Sequence, residues 1–287
     1  MKHVALSDEP VDVRSLLRKI TSSLQATSPT PQLDAEVLMM HVCRLGRSDL
    51  IKGDRITISA AQQQRLNELV ARRRQGEPAA YLTGVREFWS LELNVSSATL
   101  IPRPETELLV EIALERIPHD VPWTIADLGT GSGAIALAVA KERPHCRVVA
   151  TDLSPAALDV AASNAGKFGL TNVEFRAGDW LAPLAGETLD MILSNPPYIR
   201  SGDAHLREGA IRFEPPVALN AGPEGLEAVR HIAFHARQHL GPDGWLMVEH
   251  GWDQADTVSD LLHHHGYRAI VCHRDLAGHD RVTVCQV

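Results

Sequence analysis

Ser194-Asn195-Pro196-Pro197-Tyr198 follows directly on the apolar run Met191-Ile192-Leu193. Two consecutive prolines cannot continue a central strand, and they set the backbone in an extended turn. Asn195 and the neighbouring carbonyls are then rigid acceptors at the end of a strand, an arrangement suited to reading an N–H group. An amide or aromatic amine nitrogen is a poor nucleophile because its lone pair is delocalised. Acceptors that take both of its hydrogens can aim that lone pair at a methyl donor, while Tyr198 packs flat on the planar group. Such a displacement needs nitrogen, methyl and leaving atom held in line at near-attack distance, and no acid/base pair. The chemistry therefore falls to Asn195, Pro196 and Tyr198, and the acceptor group is received by Asn195, Pro196, Pro197 and Tyr198.

A second constellation, Asp127-Leu128-Gly129-Thr130-Gly131-Ser132-Gly133, lies between an apolar run and an Ala/Leu-rich helical stretch. Glycines there let the backbone turn sharply and come close to a ligand. Val148-Val149-Ala150-Thr151-Asp152 is a second apolar run, ending in an acid 19 residues past Gly133, placed to accept hydrogen bonds from a ribose diol. The spacing G-x-G-x-G departs from the dinucleotide fingerprint at its third glycine, which disfavours a pyrophosphate and resembles the S-adenosylmethionine loop of Rossmann-like methyltransferases. Gly129, Thr130, Gly131, Ser132, Gly133 and Asp152 are the candidate donor-binding residues, with Asn195 between donor and acceptor. Trp180, after a third apolar run, suits an adenine contact and a core or wall position equally.

These residues need a scaffold, and the patterning describes one. Val13, Leu16, Leu17, Ile20 and Leu24 form the stripe of an amphipathic helix from Val11 to Leu24. Thr30-Pro31 and Ser59 read as starts of further helices, so residues 1–80 are expected to form a small all-α bundle. Tyr81 to Gly84 reads as a turn and Phe88 to Val95 as a hairpin-like stretch, which makes residues 81–101 a connector. From Thr124 onward short apolar runs alternate with helical stretches. That alternation predicts an α/β fold over residues 102–287, a mostly parallel seven-stranded sheet with helices on both faces. The last two strands, near Ile270 and Val282, are expected to pair as an antiparallel hairpin at the sheet edge.

Composition narrows the classes. The chain has 287 residues, 44% of them apolar and 22% charged, ordinary for a globular protein with a sizeable core. No apolar run reaches membrane-helix length, and Met1-Lys2-His3 with Asp8-Glu9 lacks the apolar centre of a secretory signal, so a cytoplasmic protein without membrane contact is expected. Residues 1–100 carry 13 basic and 11 acidic residues (+2), whereas residues 101–287 carry 15 and 25 (−10). A field of that sign repels phosphate backbones, so no direct nucleic-acid partner is expected. Cys43, Cys146, Cys272 and Cys285 are widely spaced and read as reduced, buried residues. His263-His264-His265 reads as a solvated helix end, and no metal site is expected. Arg72-Arg73-Arg74 reads as a solvated run favoured by the helix dipole.

Taken together, these motifs strongly resemble the release-factor glutamine methyltransferases, the HemK/PrmC family. Besides the glycine loop and N-P-P-Y, the resemblance rests on Glu77 to Gly84 (E-P-A-A-Y-L-T-G), Arg86 to Leu91 (R-E-F-W-S-L) and Leu100 to Glu107 (L-I-P-R-P-E-T-E). Arg212 to Pro215, Ala218-Leu219 and Glu249 to Trp252 (E-H-G-W) extend it over nearly the whole chain. It implies a Rossmann-like class I methyltransferase fold, S-adenosyl-L-methionine as donor with S-adenosyl-L-homocysteine as product, and no metal. The implied acceptor is the side-chain amide nitrogen (N5) of the glutamine in the Gly-Gly-Gln loop of bacterial class 1 peptide release factors. The same resemblance implies that Trp180 stands beside the adenine end of the donor and that the helical bundle docks the release factor. Arg103, Glu105 and Glu107 either line the acceptor entrance or form a salt-bridged interdomain joint. Glu92 and Asn94 depart from the family pattern, where Pro and an aromatic or apolar residue are expected. A ribosomal-protein glutamine, or an amino group of a nucleic-acid base, are the alternative acceptors.

Overall fold

The computed structural model describes residues 10–287, so the reading of residues 1–9 as no secretory signal lies outside the described residues. The chain divides into two compact units, Met1–Gly84 and Val85–Val287.

The first unit is built from helices α1 (Val13–Leu24), α2 (Pro31–Cys43), α3 (Arg47–Lys52), α4 (Ala60–Arg74) and α5 (Ala79–Thr83). A two-stranded antiparallel ribbon, β1 (Pro10–Asp12) with β2 (Arg55–Thr57), accompanies them. Val13, Leu24, Leu38, Met39, Leu66 and Leu69 form its core. Asp12 caps α1 by accepting from Ser15 N, and Ser59 closes a reciprocal capping box with Gln62 on α4. Thr30 stands at the N-cap of α2, but its side chain makes no capping bond. The residues Tyr81 to Gly84, read as a turn, are the end of α5 and its left-handed glycine cap. The arginine run is not uniformly solvated. Arg73 is buried, and its Nε donates to Asp34 at 2.6 Å while Nη2 donates to Ser28 Oγ. The helical period turns the middle arginine inward, where a carboxylate from α2 meets it.

The second unit opens with a hairpin, β3 (Val85–Phe88) and β4 (Leu91–Asn94), whose two turn residues, Trp89 and Ser90, both have positive φ. Helix α6 (Glu107–Arg116) follows, and then the alternating run: β5 (Thr124–Leu128), α7 (Ala134–Glu142), β6 (Arg147–Asp152), α8 (Pro155–Phe168), β7 (Val173–Ala177) and β8 (Leu189–Ser194). The chain ends with α9 (Glu227–Ala236), β9 (Leu240–Glu249), α10 (Ala255–His264), β10 (Arg268–Arg274) and β11 (Asp280–Gln286).

The seven strands from β5 to β11 form one sheet in the order β10-β11-β9-β8-β5-β6-β7. All pairs from β9 to β7 are parallel, whereas β11 is antiparallel to both of its neighbours. The terminal pair is the expected antiparallel hairpin at one edge of the sheet: β11 pairs with both β9 and β10, and β10 is the outermost strand. Because a strand alternates its side chains, Ile125, Val148 and Leu193 face one core with α6 and α7. Ala126, Val149 and Ile192 face a second core with α9 and α10. Burial on both faces explains why these strands read as continuous apolar runs.

The chain leaves β5 for β6 and β7, then crosses back to β8 on the opposite side of β5. That reversal opens a crevice beyond the carboxyl ends of β5 and β8. Leu128 and Ser194 are paired there, and Ser194 Oγ donates to Leu128 O at 2.8 Å. This register brings the glycine loop beside the Asn-Pro-Pro-Tyr turn. Among the described residues no helix is long and apolar enough to cross a membrane, and no group of His, Cys, Asp and Glu could hold a metal ion. Cys146 and Cys285 are buried, but Cys43 and Cys272 only partly so, and all four are free.

Candidate functional site

A cavity of about 630 Å³ fills the crevice. Gly129 and Gly131 form its floor, Asp152 and Trp180 one side, and Asn195 and Pro197 the other. The glycine loop is drawn toward β6, since Gly129 N and Thr130 N both donate to Thr151 O. Asp152 then ties the loop to the start of α8: one carboxylate oxygen accepts from Gly131 N and the other from Ser154 N, both at 2.9 Å. Each oxygen retains a lone pair for a ligand hydroxyl. Gly131 has φ +57°, and a Cβ built there would meet nothing within 4 Å, so the space above it is open. Gly133 serves differently. Its φ is +86°, and a Cβ would lie 3.0 Å from Leu137 and 3.2 Å from Ala161, so this glycine permits helix packing.

Three donor-binding candidates therefore do not line the cavity. Thr130 donates its hydroxyl to Asp127 at 2.6 Å, the Ser132 carbonyl accepts from Asn164, and Gly133 caps α7. Asp127 is buried, with one oxygen engaged by Thr130 and Ala136 N and the other without a partner. Burial pushes its carboxyl up to about 7, with the Asp152 charge adding to the rise. Trp180 sits at positive φ with its carbonyl accepting from Thr151, and its ring lies against Gly129. It is a cavity wall whose other face packs on the α9–α10 core.

On the opposite side, Asn195 Nδ2 donates to Thr106 Oγ1 at 3.0 Å, and its carbonyl oxygen is left for a ligand. Pro197 lines the cavity, whereas Pro196 is buried beneath it and Tyr198 lies outside the lining. Burial pushes the Tyr198 phenol up to about 12, and the nearby Glu249 carboxyl adds to the rise. The Tyr198 carbonyl accepts from Gln254 at 3.2 Å.

Arg103 and Glu107 are occupied elsewhere. Arg103 donates to Glu214 at 2.6 Å, and Glu107 accepts from Trp89 N at 2.8 Å, so both act within the second unit. Glu105 is exposed. Of the departures, Glu92 pairs with Lys167, whereas at Asn94 it is the backbone N–H and carbonyl, not the side chain, that bond to Asn164.

Part of the lining escaped the sequence reading. Thr99 and Leu100 belong to the lining, Leu153 and Ala157 extend the Asp152 side, and Pro215, Val217 and Asn220 form a further wall with Glu227 and His231 of α9. The Pro-Pro pair at 215–216 and Gly222 signal a shaped segment, but nothing local says that it folds back over the sheet.

Two family models match the chain: PrmC N-terminal domain over residues 15–84 and Methyltransferase small domain over residues 104–213. The release factor glutamine methyltransferase of Xylella fastidiosa is 52% identical over 259 residues, covering 90% of this chain and 94% of that one. That of Escherichia coli K12 is 47% identical over 268 residues, covering 93% and 96%. Among solved structures, a methyltransferase from Pyrococcus furiosus superposes with a TM-score of 0.52 at 18% identity, over 79% of this chain and 98% of that one, a likeness of fold.

Proposed function

Because the chain belongs to the release factor glutamine methyltransferase family, we propose that it methylates the side-chain amide nitrogen, N5, of the Gly-Gly-Gln glutamine in bacterial class 1 peptide release factors. The observation that carries this reading is the single cavity shared by Gly131, Asp152 and Asn195: a place for a nucleoside and an amide reader, side by side. S-adenosylmethionine, when bound, supplies a methyl group on a positively charged sulfur, and S-adenosylhomocysteine is the product. Two features support that fit, the open space above Gly131 and the unpartnered buried oxygen of Asp127 beneath the loop.

In this reading Asp152 accepts from the ribose hydroxyls while its bonds to Gly131 and Ser154 keep it aimed. Trp180 walls the adenine end. Asn195 accepts an N–H of the substrate amide through Oδ1, and the proline pair keeps that acceptor from moving. Holding the nitrogen at near-attack distance is the larger part of the catalytic task, because an in-line displacement asks little else of the protein. Pro197 shapes the acceptor slot, and Tyr198 supports the turn from behind.

Residues 1–80 are the release-factor docking domain, residues 81–101 a connector and residues 102–287 the transfer domain. Docking by the first of these is consistent with its near-neutral charge beside the strongly acidic remainder. Removing residues 1–80 is expected to weaken release-factor binding while leaving donor binding in place; undiminished release-factor binding would refute the docking role. The protein would work in the cytoplasm, with no nucleic-acid partner and no membrane contact.

The experiment is to incubate the protein with methyl-labelled S-adenosylmethionine and an unmethylated release factor, the same factor with its Gly-Gly-Gln glutamine replaced, ribosomal proteins, or nucleic acid. Label on the intact factor and none on the replaced one is the expected result. Label on a ribosomal protein or on nucleic acid alone would overturn the acceptor and leave the donor site standing.

A further inference from the structure

Behind Asn195 lies an acid that the transfer reaction, as described so far, does not use. Glu249 ends β9, next to the crevice, and is buried, as is Thr106 in the turn that leads into α6. Neither carboxyl oxygen of Glu249 has a close hydrogen-bond partner among the described residues. The hydroxyl beside it is that of Thr106, whose pull favours the charged carboxylate. Thr106 in turn accepts the Asn195 Nδ2–H at 3.0 Å. Among the described residues no salt bridge compensates Glu249: the cations that act on it, Arg281 and Arg103, are paired with Asp275 and Glu214.

We propose that Glu249 and Thr106 are positioning residues that set which end of the Asn195 amide faces the acceptor nitrogen. This rests on the reading of Asn195 as the group that accepts the substrate N–H. A primary amide has a donor end and an acceptor end of nearly the same shape, and packing alone distinguishes them poorly. The Thr106 hydroxyl, which accepts from Asn195 Nδ2, has one proton left to give, and the relay requires it to turn toward the unpartnered Glu249 carboxylate. The chain of donation then runs from Asn195 to Thr106 to Glu249 and leaves Asn195 Oδ1 toward the cavity.

Reversal is equally well defined. If Glu249 carries a proton and donates it to Thr106, Thr106 donates to Asn195 Oδ1, and the Asn195 NH₂ turns to the cavity. A donor then meets the donor of the substrate amide, and the nitrogen is no longer held. Burial pushes the Glu249 carboxyl up to about 7, so the balance between the two directions falls near neutral pH. Thr106, Arg281 on β11 and Arg103 pull it down, Glu105 pushes it up, and Tyr198, itself pushed up to about 12, stays neutral.

The test uses the full-length protein and an unmethylated release factor, with kcat, KM for each substrate and donor Kd followed from pH 6 to pH 8. In the wild type kcat is expected to rise about tenfold over that range, as a single acid of pKa near 7 ionises. Glu249→Gln is expected to flatten this rise, because no proton remains to be lost. Thr106→Val is expected to lower kcat about a hundredfold with donor Kd unchanged, and Thr106→Ser to restore most of it. Wild-type kcat in Thr106→Val, or a Glu249→Gln profile that tracks the wild type, would overturn the proposal. Asn195→Ala separates the two levels. If it retains turnover, the role of Asn195 fails and the relay with it; if it loses turnover while Thr106→Val does not, only the relay fails.

Discussion

The guanidinium of Arg103 and the carboxylate of Glu214 meet at 2.6 Å, and the Glu214 side chain is completely sealed from solvent. The other Glu214 oxygen accepts from Ile101 N at 3.0 Å. One carboxylate thus fastens the segment before α6, which carries the cavity-lining Thr99 and Leu100, to the segment that carries Pro215 and Val217. The two walls are separated by more than a hundred residues, and this bond fixes their spacing. Arg103 is a brace of the site, with Nη2 committed to Glu214.

Glu214→Ala should therefore loosen both walls at once. It leaves Ile101 N buried without an acceptor and Arg103 without its partner, at a cost of about 2 kcal/mol. Chemical denaturation should show that loss, together with a raised KM for both substrates. An unchanged denaturation midpoint would show that the two segments are held by packing alone.

Two glycines of one loop should respond differently to the same methyl group. At Gly131 the added Cβ enters the open cavity, so Gly131→Ala should cost about 1 kcal/mol of backbone strain and weaken donor binding more than tenfold. At Gly133 it meets Leu137 and Ala161, and Gly133→Ala should cost about 2 kcal/mol of stability through overpacking. Denaturation paired with calorimetric titration of S-adenosylmethionine separates the two outcomes. Equal losses of stability with equal donor affinities would remove Gly131 from the donor site.

Binding and turnover should separate between Asp152 and Asn195. Asp152→Ala removes charge-assisted acceptors worth about 1.5–3 kcal/mol, which is a ten- to hundredfold weaker donor Kd. Asn195→Ala should leave that Kd near wild type and lower kcat about a thousandfold, the scale of losing one aligned polar group at a reacting centre. A weakened donor Kd in Asn195→Ala with kcat preserved would assign Asn195 to the donor.

Stability should change with pH mainly on the acid side of neutrality. Burial raises the Asp127 and Glu249 carboxyls to about 7, so the folded state binds more protons than the unfolded chain between pH 4 and pH 7. Their contribution is complete below the ordinary carboxylate range and is lost as pH rises through about 7. His250 works in the opposite sense. Burial holds its imidazole below the ordinary value, between Gly251 O and Thr283 Oγ1, so its contribution is present above about pH 6.5 and lost as pH falls. Thermal unfolding from pH 5 to pH 9 measures the curve. Glu249→Gln should reduce the loss of stability between pH 5 and pH 7, and an unaltered slope there would mean that burial does not raise the Glu249 carboxyl.

Much of this molecule is legible along the chain because the signals are local. The alternation of apolar runs with helical stretches specifies a parallel sheet before any contact is known, since a strand buried on both faces must be apolar throughout. The glycine loop, Asp152 and the Asn-Pro-Pro-Tyr turn each lie within a few residues of the strand that presents them, so residue type and position along the strand suffice to find them. Only the tertiary structure decides what depends on partners far apart in sequence. The inward turn of Arg73 onto Asp34, the bond of Arg103 to Glu214 and the bond of Asn195 to Thr106 all join elements that chain order keeps apart. Which strand of the terminal hairpin joins β9 is of the same kind: β11, the later of the two, pairs with it and leaves β10 outermost. Local chemistry marks the groups that can act; the packing of distant elements decides which of them face the cavity and which hold its walls.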